Sequence, residues 1–185
     1  EIQEKERRVR EFLKARDLQA LLLKRQANFS WMTGGGLNVV GTATELGNAS
    51  LLITEKAKFV ITNNIEAPRM VEEERLEEQG YEVRSFPWYE DRELALVREI
   101  VGRGSVGCDW PFPDAAMVAG EVACLRYSLT AEELVRYRWL GGRVSAALER
   151  TMIAVEKGEK ESAAIGRLCH ELWKDRIDTM GMMSA

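Results

Sequence analysis

Three consecutive glycines, Gly34-Gly35-Gly36, close the stretch Asn28-Phe29-Ser30-Trp31-Met32-Thr33. Glycines bunched behind an aromatic turn are the first place to look for a phosphate cradle. A dinucleotide fingerprint needs G-x-G-x-x-G between a strand and a helix, so that bare amides meet the pyrophosphate. Gly34 and Gly36 supply its first two positions, but Val39 stands at the third and no Lys-Ser/Thr pair follows. The next residues, LNVVGTATELGN, are polar, punctuated by glycine and without helical period. The segment reads as a flexible surface loop rather than a phosphate site.

The other chemistry-bearing side chains lack partners. His170 is the single histidine, and its neighbours Cys169 and Glu171 occupy adjacent helical positions that point in different directions. It also falls off the apolar face set by Ile165, Leu168 and Leu172, so it reads as a solvated helix residue. The segment VEEERLEEQG holds five glutamates, which with Arg69 and Arg75 read as a charged, solvated helix face. Asp109 is the one acid at a predicted strand end, where active sites often form, and alone it decides nothing. No nucleophile elbow, H-E-x-x-H or Cys/His ligand cluster is present. No catalytic residue and no metal site follows from these residues.

Bulk properties narrow the class. With 185 residues, 45% hydrophobic and 30% charged, the chain is an ordinary globular sequence with one good core and room for the start of a second. A net charge of −4 argues against a nucleic-acid partner. The three cysteines, Cys108, Cys124 and Cys169, are odd in number and widely spaced, which indicates no disulfide framework or zinc knuckle and suits a reducing cytoplasm. No apolar run approaches a membrane span. Sequons at Asn28-Phe29-Ser30 and Asn48-Ala49-Ser50 carry little weight without a secretory signal. The chain opens at Glu1 without Met and stops at TMGMMSA without a cap, which raises the expectation of a piece of a longer protein.

The elements that must position these residues alternate. Ile2, Val9, Phe12 and Leu13 predict an amphipathic helix over 2–16. LQALLL (Leu18–Leu23) reads as a strand, ASLLI (Ala49–Ile53) and KFVIT (Lys58–Thr62) as a hairpin, and Asn63 or Asn64 as the cap of a helix to about Gln79. Tyr81–Phe86 predicts a strand, residues 91–101 a helix, and Ser105–Trp110 a short strand ended by Pro111 and Pro113. This is a three-layer α/β domain with a mixed sheet, residues 1–125. In residues 126–185, Thr130 to Glu133 form a capping box that opens a long helix, with Gly141-Gly142 inside it and Gly158 breaking it. A close packing partner or a kink at the paired glycines are both open explanations. A second helix follows, through Ile165, Leu168, Leu172 and Ile177. Leu168, Leu172 and Trp173 predict an apolar face in need of cover.

The order of these features resembles the N-terminal part of the creatinase/prolidase/Xaa-Pro aminopeptidase family of pita-bread metallopeptidases. The turn Asn28-Phe29-Ser30-Trp31-Met32-Thr33-Gly34 is similar to the family's N-x-x-Y-L-T-G, with Trp31 for Tyr and Met32 for Leu. Arg126, Thr130 and Glu133-Leu134 match its linker pattern, although Leu129 stands where Lys is usual. Gly158 keeps one position of a later P-G-x-[ST]-E motif, with Lys157 in place of Pro and Lys160-Glu161 in place of the Thr-Glu pair.

The resemblance implies a parent enzyme that cuts Xaa-Pro bonds at peptide N-termini, using two divalent ions (manganese, cobalt or zinc) held by a C-terminal domain. Residues 126–185 would then be the linker and first helices of that domain. The fragment would be non-catalytic and metal-free, serving cleft closure and homodimer contact. Asn28, Phe29, Trp31 and Gly34 would border the substrate cleft, Trp31 or Phe29 as an apolar wall and Asn28 as a turn-former, with Trp31 packed under its own loop as the other reading. The alternatives are a stand-alone protein-binding module, a C–N hydrolase such as a creatinase, and lastly a nucleotide-binding domain.

Overall fold

A strand that is apolar on both faces needs cover on both, and the run at Leu18–Leu23 receives it. In the computed structural model, which describes residues 1–41 and 43–178, β1 (Ala20–Arg25) lies inside a six-stranded sheet. The terminal TMGMMSA segment lies outside the described residues. The chain divides into two units, Glu1–Ser128 and Leu129–Ala185.

In the first unit α1 (Ile2–Ala15) leads to β1, which α2 (Gln26–Met32) follows directly. The hairpin β2 (Leu46–Thr54) and β3 (Lys58–Asn63) comes next, then α3 (Ala67–Glu72), β4 (Tyr81–Phe86) and α4 (Glu93–Val101). β5 (Val106–Cys108), β6 (Ala115–Met117) and α5 (Ala119–Leu125) complete it. The strand order is β4-β3-β2-β1-β5-β6. β2 runs antiparallel to both β1 and β3, while β3–β4, β1–β5 and β5–β6 are parallel. The sheet is therefore mixed, as the hairpin within the alternation predicts.

Side chains alternate across it, as strand geometry requires. Leu21, Leu23, Leu51 and Ile53 pack with Val9, Leu13, Phe29 and Met70 of the helices on one face. Leu22, Leu52, Phe59 and Ile61 pack with Val97 of α4 on the other. This is the three-layer α/β arrangement expected from the sequence.

Three local expectations are corrected. The helix predicted to reach Gln79 ends at Glu72. Met70 and Leu76 are both fully buried, and six residues of continuous helix would set them roughly 120° apart, on different faces. The chain instead turns through Arg75 at φ 52 and brings Leu76 inward, its N–H on the Met70 carbonyl at 3.1 Å. The stretch read as an aromatic turn from Asn28 belongs to the short buried helix α2, whose Phe29 and Met32 face the core. Finally, β6 and α5 follow Pro111 and Pro113, where the sequence shows only a strand end.

In the second unit α6 (Ala131–Ile153) and α7 (Glu161–Trp173) pack together. The Thr130 hydroxyl accepts from the Glu133 amide at 3.3 Å, and the Glu133 carboxylate accepts from the Thr130 amide at 2.8 Å. Such a box satisfies two orphan donors and contributes about 1 kcal/mol. Gly158 turns the chain at φ 87. α6 runs unbroken through Gly141-Gly142, and nothing lies within 4 Å of where either Cβ would be. Leu172, predicted to be exposed, is buried in this helix pair, whereas Trp173 is exposed as expected.

Candidate functional site

β1 leaves the sheet abruptly. Its register with β2 shifts between Leu23 and Arg25, which disrupts the ladder where the chain enters α2. Amides freed in a buried place need other acceptors. Asp109, just past β5 and fully buried, provides them: its carboxylate accepts from the Lys24 amide at 2.7 Å and the Arg25 amide at 3.1 Å. It also accepts from the Asn28 side-chain amide at 2.7 Å. The Asn28 carbonyl oxygen then accepts from the Arg126 guanidinium at 2.8 Å. Four stretches of chain meet at this joint: the end of β1, α2, the end of β5, and Arg126 beyond α5.

Asp109, Asn28 and Arg126 each stood out singly in the sequence, and the topology brings them together. No spacing signal joins residues 28, 109 and 126, because the parallel pairing of β1 with β5 makes the meeting. Arg25 adds a layer above: its Nε donates to the Asp109 carbonyl at 3.1 Å and its guanidinium lies 5.0 Å from the Trp110 ring centroid.

The loop after α2 is pinned. Gly34 and Gly35 have φ 74 and 116, which favour glycine. The Thr33 hydroxyl donates to the Phe29 carbonyl at 2.8 Å and accepts from the Gly36 amide at 3.1 Å. Glu74 takes the Leu37 amide at 2.8 Å, and Arg69 donates to the Leu37 carbonyl at 3.0 Å. The buried Asn38 side chain pairs with both backbone groups of Ala49 on β2, at 2.6 and 2.9 Å. A Cβ on Gly47 would meet the Asn38 amide nitrogen at 1.9 Å, so glycine is required there.

Of the four predicted rim residues, Asn28 sits in the joint and Phe29 is fully buried in the core. Trp31 is 6% exposed, its ring 5.7 Å from the Lys5 ammonium, and Gly34 lies against Ile2. The exposed apolar side chains on nearby loops are Leu37, Val40, Ile65, Trp88 and Tyr89. Trp88 and Tyr89 meet edge to face at 5.8 Å, and the Trp88 amide donates to the Asn64 side chain at 2.9 Å.

On the opposite sheet face Lys24 pairs with Glu93, which also accepts from the Ser50 hydroxyl at 2.5 Å. Cys108 lies in this layer, and burial, first among its influences, pushes its thiol up to about 12. A thiol held protonated in this way is no nucleophile at neutral pH. His170 is exposed. Among the described residues no group of three or more His, Cys, Asp or Glu could hold a metal ion.

The model of the creatinase/prolidase N-terminal domain matches residues 6–111, from the middle of α1 to the turn after β5. The chain belongs to this family. Its creatinase/prolidase N-terminal domain accounts for the mixed sheet and the helices on both faces. No curated protein matches the chain by sequence.

Among solved structures, the Xaa-Pro dipeptidase from Bacillus anthracis superposes with TM-score 0.71 at 22% identity, over 95% of this chain and 50% of its own. The prolidase from Pyrococcus horikoshii OT3 gives 0.67 at 13% identity, over 93% and 49%. The X-prolyl aminopeptidase from Caenorhabditis elegans, described as a cytosolic enzyme with a di-nuclear active site, gives 0.62 at 16% identity, over 92% and 30%. At these identities the likeness is one of fold, and the chain spans half or less of each. No helix among the described residues is long and apolar enough to cross a membrane.

Proposed function

We propose that this chain is the front part of a cytoplasmic metallopeptidase that cleaves Xaa-Pro bonds at peptide N-termini, as an aminopeptidase P or a prolidase. One observation carries the reading: the creatinase/prolidase N-terminal domain together with α6 and α7 superposes on a named Xaa-Pro dipeptidase over 95% of this chain and half of that one. The relative's remaining half has no counterpart here, and the reaction is assigned to a corresponding second half in the parent. Residues 1–125 are the N-terminal domain in this proposal, and 126–185 the linker and first helices of the catalytic domain.

The parent would carry two divalent ions, manganese, cobalt or zinc. The described residues do not fit such a pair. The lone histidine is in solvent, Asp109 gives both carboxylate oxygens to amide donors, and among the described residues no group of three or more His, Cys, Asp or Glu could hold a metal ion. No step of the reaction is assigned to this chain. Its own part is to border the substrate cleft and contribute to contacts between two copies of the parent. Asn28, Phe29 and Trp31 would found the rim, Gly34 would turn it outward, and Leu37 and Val40 would be its exposed apolar groups.

The test expresses the gene to its natural stop codon, with the 185-residue chain as blank, and follows release of the first residue from an Xaa-Pro peptide with and without manganese. Manganese-dependent release by the longer form alone is the expected result. Metal binding without release would move the assignment to another amide substrate, as in a C–N hydrolase. A longer form that binds no metal would make the domain a non-catalytic binding module.

A further inference from the structure

Leu37 presents a contrast between its backbone and its side chain. Both backbone polar groups are gripped: the Glu74 carboxylate accepts from the amide at 2.8 Å, and the Arg69 Nη1 donates to the carbonyl at 3.0 Å. The side chain is 63% exposed. The gripping groups are themselves largely withdrawn from water, Arg69 at 21% and Glu74 at 12% exposure. Glu66 accepts from the Arg69 Nε and Nη2 at 2.8 and 2.6 Å. The guanidinium fork is thereby fixed before its free end reaches the loop.

The early end of α3 makes the grip possible. Five residues of continuous helix would set Arg69 and Glu74 roughly 140° apart. The chain instead closes on itself, the Glu74 amide donating to the Arg69 carbonyl at 3.0 Å, and the two side chains stand 3.9 Å apart. Gly36 lets the loop approach them: a Cβ there would meet the Glu74 carboxylate at 3.0 Å and the Thr33 hydroxyl at 2.6 Å. Taking an arginine and a glutamate out of water is costly, and the exposed leucine they hold returns little burial to the fold. A fixed backbone under a solvent-facing apolar side chain suits recognition, because the ordering entropy is lost on folding rather than on binding.

We propose that Arg69 and Glu74 are positioning residues, which hold Leu37 as an apolar contact for the substrate side chain that precedes proline. The inference rests on the Xaa-Pro peptidase reading above. Phe29 and Trp31, the apolar wall that the resemblance implies, are buried, and Leu37 is the exposed apolar side chain that follows them in the chain. Proline is common to every such substrate, so the residue before it is what a rim contact can select, and a leucine selects an apolar one. Leu37 takes no part in the chemistry. Its contact is made equally in the bound substrate and in the transition state, and is felt in KM rather than in kcat.

The test uses the gene expressed to its natural stop codon, with manganese, and compares KM and kcat on a Leu-Pro peptide and the matching Gly-Pro peptide. Leu37→Ala raises KM for the Leu-Pro peptide about fivefold, with kcat within about twofold and the Gly-Pro peptide unaffected. Arg69→Met and Glu74→Met, which keep the side-chain stems and lose the grip, do the same with Leu37 intact, their folding checked by circular dichroism. Glu74→Gln keeps an acceptor for the Leu37 amide and holds KM within about twofold of wild type. In the Leu37→Ala background Glu74→Met adds nothing, because Glu74 acts through Leu37. A wild type that releases nothing from either peptide removes the peptidase reading and this inference with it. A wild type that cleaves both, with Leu37→Ala indifferent, overturns the inference alone. So does a Leu37 effect that Arg69→Met and Glu74→Met fail to reproduce, or losses that add in the double variant.

Discussion

In the first unit Leu21, Leu22, Leu51 and Leu52 lie fully buried between layers of helix, whereas in the second Tyr137, Leu140, Val144 and Leu148 of α6 stand in solvent at the same kind of apolar spacing. Both sets are patterned for burial. The first unit supplies its own cover on both faces of the sheet, and the Lys24 and Arg25 amides and the Asn28 side chain close on Asp109. The second has two helices, and α7 shelters only a narrow stripe of α6 around Ala147 and Thr151. It relies instead on local devices: the Thr130–Glu133 box, Arg150–Glu171 at 2.8 Å and Arg167–Glu159 at 2.5 Å. Ion pairs of this kind contribute little, because solvent screens them and ordering two long side chains offsets the attraction. Sequence pattern thus reports where burial is intended, and topology decides whether the same unit provides it.

The largest way to break the contrast is Asp109→Ala, which strands two backbone amides and the Asn28 amide in the interior. Each buried unsatisfied donor costs about 1–3 kcal/mol, so about 4 kcal/mol should be lost from the first unit. Urea unfolding followed by tryptophan fluorescence measures it, and α6 and α7 should keep their own transition. Next comes a matched pair. Leu52→Ala in the core costs about 3 kcal/mol, whereas Ile153→Ala, 85% exposed at the end of α6, changes stability by less than about 0.5 kcal/mol. Equal losses would mean that α6 is covered in solution.

Gly142→Ala reverses the sign. With nothing near the added methyl, it should stabilise α6 by up to about 1 kcal/mol, read as a higher midpoint of the helical melt. The effect that vanishes at neutral pH is a pH slope. Burial holds the Cys108 thiol near 12 against 9.0 for the free group. Between these values the unfolded chain has released a proton that the folded chain keeps, so stability falls as pH rises from 9. Burial likewise raises the Tyr81 phenol, which adds to the slope at still higher pH. Cys108→Ala should flatten the lower part of the curve.

Much of the fold was legible in the sequence. The hairpin, the half-buried Tyr81 strand and the capping box carry their causes within a few residues. What stayed hidden depends on partners far along the chain. α2 is seven residues long, too short for a period to stand out, and it exists because Phe29 and Met32 have a core to enter and Asp109 anchors its approach. β6 is three residues of AAM, which nothing local distinguishes from loop. The break at Arg75 follows from Leu76 having to reach a core that the local glutamate run does not announce. At the candidate site, residue types were visible but their company was not. Asn28 read as a turn-former and Asp109 as undecided, and only the pairing of β1 with β5 makes them one joint with Arg126.

That joint also sets a clock for a chain emerging from the ribosome. β1 is made early, yet its open side waits for β5, and its exit amides wait for residue 109. At about 5–20 residues per second, the 84 residues from Gln26 through Asp109 take on the order of 4–17 s to appear. The β2–β3 hairpin can settle against one side of β1 meanwhile, leaving the apolar Ala20–Leu23 run with a bare margin. Slowing synthesis between residues 64 and 105 would lengthen that exposure, and a holdase that recognises extended apolar segments would have its window there.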